Sequence, residues 1–330
     1  AMQVFEDMVQ RSSLRPNTIT CNMLITACGK AGQWGRAIDL FEEMKALNVQ
    51  CTTITFNSLI TACGQSKQWL EATHVFQEMN ASGVEADAVT YNALIDACGK
   101  GMQWGEAALA FEEMKSAGLV PNLVTYTALI AACSRCNEWE QAVHYFALCE
   151  DDPNVAPNTV TYTAMLHSCE RVGRAEEALH YFDKMRAANI RPNHFTYHAL
   201  IGACGRAKDW KKAKEVFADM RALGVVADAV SFNVLLSAFE RSSQLDEALH
   251  LYDTMQAQGV RPDLVTYNTL ISTCGKCGQW ELALEFFDIV LTNPEGHQLK
   301  PDVVTFNAAI TACGRSQRWS EAMAVFGRMG

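Results

Sequence analysis

Residues 88–122 read AVTYNALIDACGKGMQWGEAALAFEEMKSAGLVPN, and most of the chain repeats this stretch. Val-Thr-Tyr-Asn, Ala-Cys-Gly-Lys, Gln-Trp, Phe-Glu-Glu-Met and Pro-Asn, or close variants of them, recur at a spacing of 35 residues. We number the repeat so that Ala88 is position 1 and Asn122 is position 35. A fixed period of this length is typical of repeat proteins, in which units stack on their neighbours rather than enclose one large core.

This register predicts a single repeat domain over residues 1–330. The complete repeats are 18–52, 53–87, 88–122, 123–158, 159–193, 194–228, 229–263 and 264–302, with partial repeats at 1–17 and 303–330. The fourth repeat has one extra residue and the eighth has four, both in connectors, where added length is tolerated. Both chain ends fall within or at the close of a second helix, so we expect the sequence to be a segment of a longer protein.

Each repeat predicts two helices. In the third repeat, Tyr91, Leu94, Ile95 and Cys98 are spaced to line one face of a helix over positions 3–14, with Thr90 as its N-cap. A second helix, from about position 17 to position 29, carries tryptophan, phenylalanine and methionine on its apolar face. Because one helical hairpin cannot bury both faces alone, we predict an all-α fold, a right-handed superhelical α-solenoid of about nine 35-residue helix-turn-helix repeats.

Hydrophobic residues make up 49% of the chain and charged residues 19%, which favours a packed protein over a disordered one. The net charge of −10 argues weakly against a nucleic-acid partner. Position 13, however, is basic in eight of nine repeats: Lys30, Lys100, Arg135, Arg171, Arg206, Arg241, Lys276 and Arg315. Stacking would align these cations in a strip suited to a phosphate backbone. Alternatively, each cation only complements the dipole at a helix C-terminus.

The sequence contains no pattern that indicates a metal site, a cofactor or an enzyme. Eight of the thirteen cysteines occupy position 11, which predicts small buried residues in a reducing compartment. Two Cys-x-x-Cys pairs, at Cys133–Cys136 and Cys274–Cys277, lie four repeats apart and do not form a four-ligand zinc set. There is no His-Glu-x-x-His or phosphate-binding loop motif. No apolar run reaches the length of about 18 residues that a membrane span needs, and no targeting peptide is visible.

The recurring Val-Thr-Tyr-Asn, Ala-x-x-x-Phe-Glu-Glu-Met and Pro-Asp or Pro-Asn elements resemble the pentatricopeptide repeat (PPR) family of P-type, over essentially the whole chain. The tetratricopeptide repeat differs, since its period is about 34 and its Trp-x-x-Leu-Gly signature is absent here. The resemblance implies sequence-specific binding of single-stranded RNA, with one base per repeat. It also implies a location in the chloroplast or mitochondrion and a role in RNA stabilisation, processing or translation.

The resemblance assigns base reading to positions 5 and 35 and base wedging to position 2. The position-5 readers are Asn22, Asn57, Asn92, Thr127, Thr163, His198, Asn233, Asn268 and Asn307. The position-35 readers are Thr52, Asp87, Asn122, Asn158, Asn193, Asp228, Asp263 and Asp302. The wedges are Ile19, Ile54, Val89, Val124, Val160, Phe195, Val230, Val265 and Val304. On the residues alone, the small polar side chains equally suit local turns and helix caps.

In the family's pattern, Asn with Asp indicates U, Asn with Asn indicates C or U, and Thr with Asn indicates A. The predicted site is therefore close to 5′-YUYAANUUY-3′, with Thr52 and His198 as the departures from the pattern. Two alternatives remain at this point. In the first, the chain is not such an RNA-binding module but a structural, protein-contacting subunit of an organellar ribonucleoprotein, such as a ribosome or transcription complex. In the second, it is the RNA-guiding part of an enzyme whose catalytic domain lies elsewhere.

Overall fold

The computed structural model describes residues 16–292 and 299–329, so that most of the partial repeat at 1–17 and of the insertion in the eighth repeat lies outside the described residues. The described part of the chain folds into eighteen α-helices without a strand. The first helices of the pairs are α1 (Thr18–Lys30), α3 (Thr53–Gln65), α5 (Ala88–Lys100), α7 (Leu123–Cys136), α9 (Thr159–Val172), α11 (His194–Arg206), α13 (Ala229–Arg241), α15 (Leu264–Lys276) and α17 (Val303–Arg315). The second helices are α2 (Trp34–Ala46), α4 (Trp69–Ala81), α6 (Trp104–Ser116), α8 (Trp139–Asp151), α10 (Ala175–Ala187), α12 (Trp210–Ala222), α14 (Leu245–Ala257), α16 (Trp280–Thr292) and α18 (Trp319–Gly327).

The chain divides into two compact units, Ala1–Ser168 and Cys169–Gly330. Within each unit, a first helix packs on its own second helix and on the first helix of the next pair. Each second helix also contacts the first helix that follows it. The prediction of an all-α solenoid of stacked helix pairs is therefore confirmed, while the assignment of residues 1–330 to one domain stays a prediction. No helix among the described residues is long and apolar enough to cross a membrane.

The first helices begin two residues earlier than the sequence suggested. Asp87 is the N-cap of α5, and its Oδ1 accepts hydrogen bonds from the Thr90 backbone N–H at 2.8 Å and the Thr90 hydroxyl at 2.9 Å. The Thr90 hydroxyl in turn accepts from the Asp87 N–H at 3.1 Å, which completes a capping box. Our assignment of Thr90 as the N-cap is wrong, because the apolar period starts at position 4 and does not reveal where the extended backbone ends.

An aromatic pair closes each junction between the second helix of one repeat and the first helix of the next. Phe76 of α4 and Tyr91 of α5 meet edge to face, with ring centroids 5.3 Å apart. The position-11 cysteines are buried free thiols, as predicted. Burial raises the pKa of Cys98 to about 12, so that this thiol stays protonated and behaves as a small apolar residue.

Consecutive first helices approach each other very closely where glycine at position 12 faces alanine at position 10 of the next repeat. A Cβ added to Gly99 of α5 would lie 2.7 Å from the Ala132 Cβ and 3.0 Å from the Ala132 Cα of α7. The same contact recurs at Gly29–Ala62, Gly64–Ala97, Gly205–Ala238 and Gly275–Ala312. These small pairs set the spacing between neighbouring first helices.

Replacement of Gly99 by valine should destabilise the chain by about 2–3 kcal/mol, because the added side chain must push the backbone of α7 away. Gly105, in the first turn of α6, is exposed, and a Cβ added there would meet no atom within 4 Å, so Gly105→Val is the matched control. The control should change stability by less than about 0.5 kcal/mol. Urea unfolding followed by circular dichroism measures both effects, and equal losses in the two variants would contradict the close-packing argument.

Replacement of Asp87 by alanine should lower the free energy of unfolding by about 1 kcal/mol, since the amide of Thr90 loses its cap, whereas Asp87→Asn should retain most of it. Burial alone would raise the pKa of Asp87, but the hydrogen bonds from Thr90 and Asn57 have the larger combined effect and lower it. The pKa of Asp87 in the folded chain therefore lies below its ordinary value of 3.8. The stabilisation is therefore complete above pH 3.8 and is lost as pH falls through the lower folded-state value. The difference between wild type and Asp87→Ala should be the same at about pH 5 and about pH 8; a difference that grows between these values would contradict the assignment.

Candidate nucleic-acid interface

The predicted wedge at position 2 is an exposed apolar side chain in every repeat that the structure describes. The exposed fraction of these nine residues runs from 52% at Val230 to 69% at Ile19. Position 2 lies in the first turn of each first helix. Single exposed apolar residues are ordinary, but one at the same place in every first helix gives each unit a regular apolar row.

Clefts between these first helices bring together the predicted reading, wedging and phosphate residues. In the first unit, a cleft of about 470 Å³ is lined by the wedges Ile54 and Val89, the readers Asn57 and Asp87, and the position-13 cation Lys30. This volume lies within the range of about 300–1,000 Å³ found for small-ligand sites. Residues that are far apart in the sequence thus share one concave surface.

The second unit contains an equivalent cleft of about 520 Å³. It is lined by the wedges Val265 and Val304, the readers Asn268 and Asp302, and the cation Arg315. The same three kinds of residue therefore meet in a cleft of each unit, although the cation comes from the repeat before the reader pair in the first cleft and from the repeat after it in the second.

The two readers of one repeat are neighbours in space although 30 residues separate them in the chain. The Asn233 Nδ2 donates to Asp263 Oδ1 at 3.0 Å and to Asp263 Oδ2 at 3.1 Å. The Asn57 Nδ2 lies 3.3 Å from Asp87 Oδ1. This proximity arises because residue 35 is the N-cap of the next first helix, which packs beside the helix that carries position 5. Capping and base reading, which the sequence left as alternatives, are therefore compatible in one side chain.

The third repeat pairs two amides in the same way. The Asn92 Nδ2 donates to Asn122 Oδ1 at 3.4 Å, and Asn122 caps α7 through hydrogen bonds from the N–H groups of Val124 and Thr125. A carboxylate at position 35 can only accept hydrogen bonds, whereas this amide also carries a donor. The Asn–Asn repeat thus offers a wider choice of partners than the Asn–Asp repeats.

Two further position-5 readers are nearly as buried as Asn233, which is 7% exposed. Thr163 and His198 are each 9% exposed. The Thr163 hydroxyl donates to the Thr159 carbonyl at 2.7 Å within α9. The His198 Nε2 lies 2.8 Å from Ser231 Oγ and 3.6 Å from Asp228 Oδ1. His198 therefore has an arrangement of its own, consistent with its departure from the family's pattern.

Thr52 departs from the pattern in another way. It caps α3, where its hydroxyl lies 3.3 Å from the Thr55 hydroxyl and its N–H donates to that same group at 3.1 Å. A hydroxyl is shorter than the carboxyl or amide found at position 35 elsewhere. The Oδ1 of Asn22, the other reader of this repeat, is buried without a hydrogen-bond partner. In the first repeat, Thr52 therefore forms the helix cap, but no hydrogen bond joins it to Asn22 as one joins the two readers of the second repeat.

The position-13 cations are not equivalent, because acidic residues that sequence reasoning missed bind some of them. Lys100 Nζ lies 2.7 Å from Asp96 Oδ2, and Arg135 Nη2 lies 3.7 Å from Asp96 Oδ1. In the second unit, Lys276 Nζ lies 3.0 Å from Glu240 Oε1. The spacing of Asp96 and Lys100, four residues on one helix, could have revealed the first pair. The Glu240–Lys276 pair joins different repeats and has no such signal.

Other cations of the strip are exposed: Lys30, Arg171, Arg206, Arg241 and Arg315. Within the described ranges, no group of three or more His, Cys, Asp or Glu side chains is placed to hold a metal ion. The chemistry that these clefts offer is thus an apolar pair of walls, one or two hydrogen-bonding side chains between them, and a cation at the edge.

The comparison with solved structures finds chains that were crystallised or solved with RNA. PPR10 in complex with an 18-nt psaJ RNA element is 26% identical, with 99% of this chain and 51% of that chain covered and a TM-score of 0.47. Yeast Rmd9p in complex with 16-nt target RNA is 9% identical, with 93% and 79% covered and a TM-score of 0.49. The PPR domain of Arabidopsis thaliana PRORP1 in complex with tRNA is 15% identical, with 66% and 95% covered and a TM-score of 0.38. The chain spans about half the length of the PPR10 structure that it matches.

No curated protein matches the sequence. A model for the pentacotripeptide-repeat region of PRORP matches residues 8–185, which is more than half of the chain. The PPR repeat family matches residues 195–241 and 227–276, and the PPR repeat matches residues 265–292 and 304–330. These matches extend over almost all of the sequence and agree with the stacked helix pairs of both units. The chain belongs to the pentatricopeptide repeat family.

Proposed function

We propose that this chain is a sequence-specific module for single-stranded RNA that binds about one base per repeat and carries out no catalysis itself. One observation carries the proposal: the same clefts hold exposed wedge residues, hydrogen-bonding reader pairs and position-13 cations in both units. A site for single-stranded RNA needs these three elements. The bases of the RNA stack on flat or apolar surfaces, their edges form hydrogen bonds, and the phosphates attract cations.

The second repeat illustrates how a base would be recognised. A base inserted between Ile54 and Val89 would have apolar contacts on both faces. Its edge would then meet the Asn57 amide and the Asp87 carboxylate, which offer a donor and an acceptor side by side. Uracil has a matching carbonyl acceptor and N3–H donor. Cytosine offers its N3 acceptor and its N4 amino group instead, so the choice of U for the Asn–Asp pairs rests on the family's pattern.

At the third repeat, Asn122 replaces the aspartate, and its amide can donate or accept. Uracil and cytosine then both find a partner at the Watson–Crick edge. This chemistry agrees with the pyrimidines of the proposed site 5′-YUYAANUUY-3′, while its two A nucleotides and the placing of the chain's N-terminus toward the RNA 5′ end follow the family's pattern.

Affinity that is independent of sequence would come from the exposed position-13 cations. Arg206 and Arg241 occupy the same place in successive first helices of the second unit and are both exposed. Contacts from such cations to successive phosphates release counterions, so that binding falls with rising salt. The acidic residues counted in the net charge of −10 lie mostly elsewhere, many of them on the second helices, and do not prevent this.

A module that occupies about nine nucleotides would protect RNA from nucleases or keep a local hairpin open simply by staying bound. These effects fit a chloroplast or mitochondrial factor in RNA stabilisation, processing or translation, with other proteins of an organellar RNA complex as further partners. The two alternatives, a structural subunit of an organellar ribonucleoprotein and the RNA-guiding part of an enzyme, would use the same surface. Binding measurements distinguish the structural subunit from the sequence-specific module proposed here.

The 330-residue chain should bind a nine-nucleotide RNA that fits the predicted site at least about tenfold more tightly than a scrambled RNA of the same composition. Fluorescence anisotropy at two salt concentrations measures affinity and salt dependence together. Selection from randomised RNA should independently enrich the core UYAA. Salt-sensitive binding without sequence preference would favour the structural-subunit alternative, and absence of binding to any single strand would contradict both.

Simultaneous replacement of Arg206 and Arg241 by glutamine should weaken binding to the matched and scrambled RNAs equally. The slope of log K against log salt should decrease by about 1.4, since each phosphate contact to a single strand contributes about 0.7. Lys211→Gln with Arg221→Gln on α12 makes the same charge change on a second helix and serves as the control. An unchanged slope in the Arg206/Arg241 variant, or an equal change in the control, would argue against a phosphate strip at position 13.

A further inference from the structure

A buried hydroxyl occupies position 3 of eight of the nine first helices that the structure describes, all but α1. These residues are Thr55, Thr90, Thr125, Thr161, Thr196, Ser231, Thr266 and Thr305, and each has no exposed surface. In the capping boxes, the oxygen of this hydroxyl accepts a hydrogen bond from the N–H of the cap residue. Each hydroxyl has one hydrogen left to donate, and its acceptor determines what the hydroxyl holds in place.

In two repeats the nearest acceptor is the reader of the preceding repeat. The Thr125 hydroxyl lies 2.7 Å from Asn92 Oδ1 but 3.3 Å from Asn122 Oδ1. The Thr266 hydroxyl lies 2.7 Å from Asn233 Oδ1 and 3.0 Å from Asp263 Oδ1. The hydroxyl thus reaches across the junction between repeats and binds the oxygen of the position-5 amide.

The same position touches readers of other chemical types. The Thr161 hydroxyl lies 2.9 Å from the hydroxyl of Thr127, and the Ser231 hydroxyl lies 2.8 Å from Nε2 of His198. Contact between position 3 and the preceding position 5 therefore occurs at four of the described junctions and does not depend on asparagine.

This contact fixes which way the asparagine amide faces. With Oδ1 of Asn233 held by Thr266, its Nδ2 is directed to the carboxylate of Asp263 at 3.0 and 3.1 Å. A reversed amide would place its oxygen against that carboxylate and lose both attractions. The amide can therefore present only its donor, the Nδ2 group, to a base edge in the cleft.

We propose that Thr125 and Thr266 are positioning residues for base recognition, which act through the asparagine of the preceding repeat. The proposal rests on the RNA-binding function proposed above. Each hydroxyl keeps the donor of Asn92 or Asn233 toward the base, where it recognises the carbonyl oxygen that a pyrimidine presents. Without the hydroxyl, the amide can turn and accept a hydrogen bond from a base instead.

The test uses Thr125→Val, which keeps the shape of the side chain and removes the hydroxyl, and Thr125→Ser, which keeps the hydroxyl. Binding of the 330-residue chain is measured to four RNAs that differ only in the third nucleotide of the predicted site. We expect the pyrimidine-over-purine preference at this nucleotide to fall about fivefold in Thr125→Val, as loss of one hydrogen bond implies, and to be retained in Thr125→Ser. Preferences at the neighbouring nucleotides should not change.

Thr90→Val is the matched control, because the Thr90 hydroxyl donates to its own cap residue Asp87 at 2.9 Å while the Oδ1 of Asn57 is buried without a hydrogen-bond partner. This control loses the cap bond but should keep its selectivity at the second nucleotide.

Thr266→Val, in the second unit, repeats the test at the seventh nucleotide if Thr125→Val folds poorly. An equal loss of affinity for all four RNAs in the Thr125 and Thr266 variants would show that position 3 contributes only to the helix cap. That result would overturn the positioning role. A wild-type chain without any preference at the third nucleotide would instead contradict the proposed function itself.

Discussion

The close approach of consecutive first helices is the constraint on which the rest of the structure depends. Glycine at position 12 and alanine at position 10 allow two helix backbones to touch, as Gly99 and Ala132 do. A larger residue at either place would increase the distance between these helices. The helices' N-termini would then also separate, and Asn122 would move away from Asn92. Packing of the smallest side chains thus fixes the geometry of a site more than one helical turn away.

The N-cap links this packing to recognition. Position 35 must start a helix, so it is restricted to the few side chains that accept hydrogen bonds from a helix N-terminus. In this chain it is only Asp, Asn or Thr. Because the same side chain lies beside position 5, capping chemistry would limit the choice of groups that the proposed site presents to a base. In the proposed function, the choice between donor and acceptor would then depend on the partner at position 5 and on the hydroxyl that holds it.

The sequence predicted the helix pairs and their period well, because the apolar positions that pack the repeats recur with few exceptions. It could not place the reader pair, since nothing in a separation of 30 residues indicates that Asn57 and Asp87 are neighbours; only the family resemblance suggested it. It misassigned Thr90 because a threonine suits both N-cap and N3. The ion pair of Glu240 and Lys276 lay beyond sequence reasoning, since it depends on how two repeats stack.

The ion pairs of the position-13 residues bear on how an acidic chain would bind RNA. Lys100 and Arg135 share Asp96, and their side chains are each 32% exposed. A phosphate that approached them would replace a carboxylate rather than water, and partly exposed ion pairs of this kind contribute only about 0–1 kcal/mol. The exchange is therefore nearly neutral, and the net electrostatic gain would come from cations that face solvent, such as Lys30, Arg206 and Arg241. With fewer effective phosphate contacts, sequence-independent RNA binding would be weaker, and a larger share of the binding free energy would fall to the proposed reader pairs and to the residues that orient them.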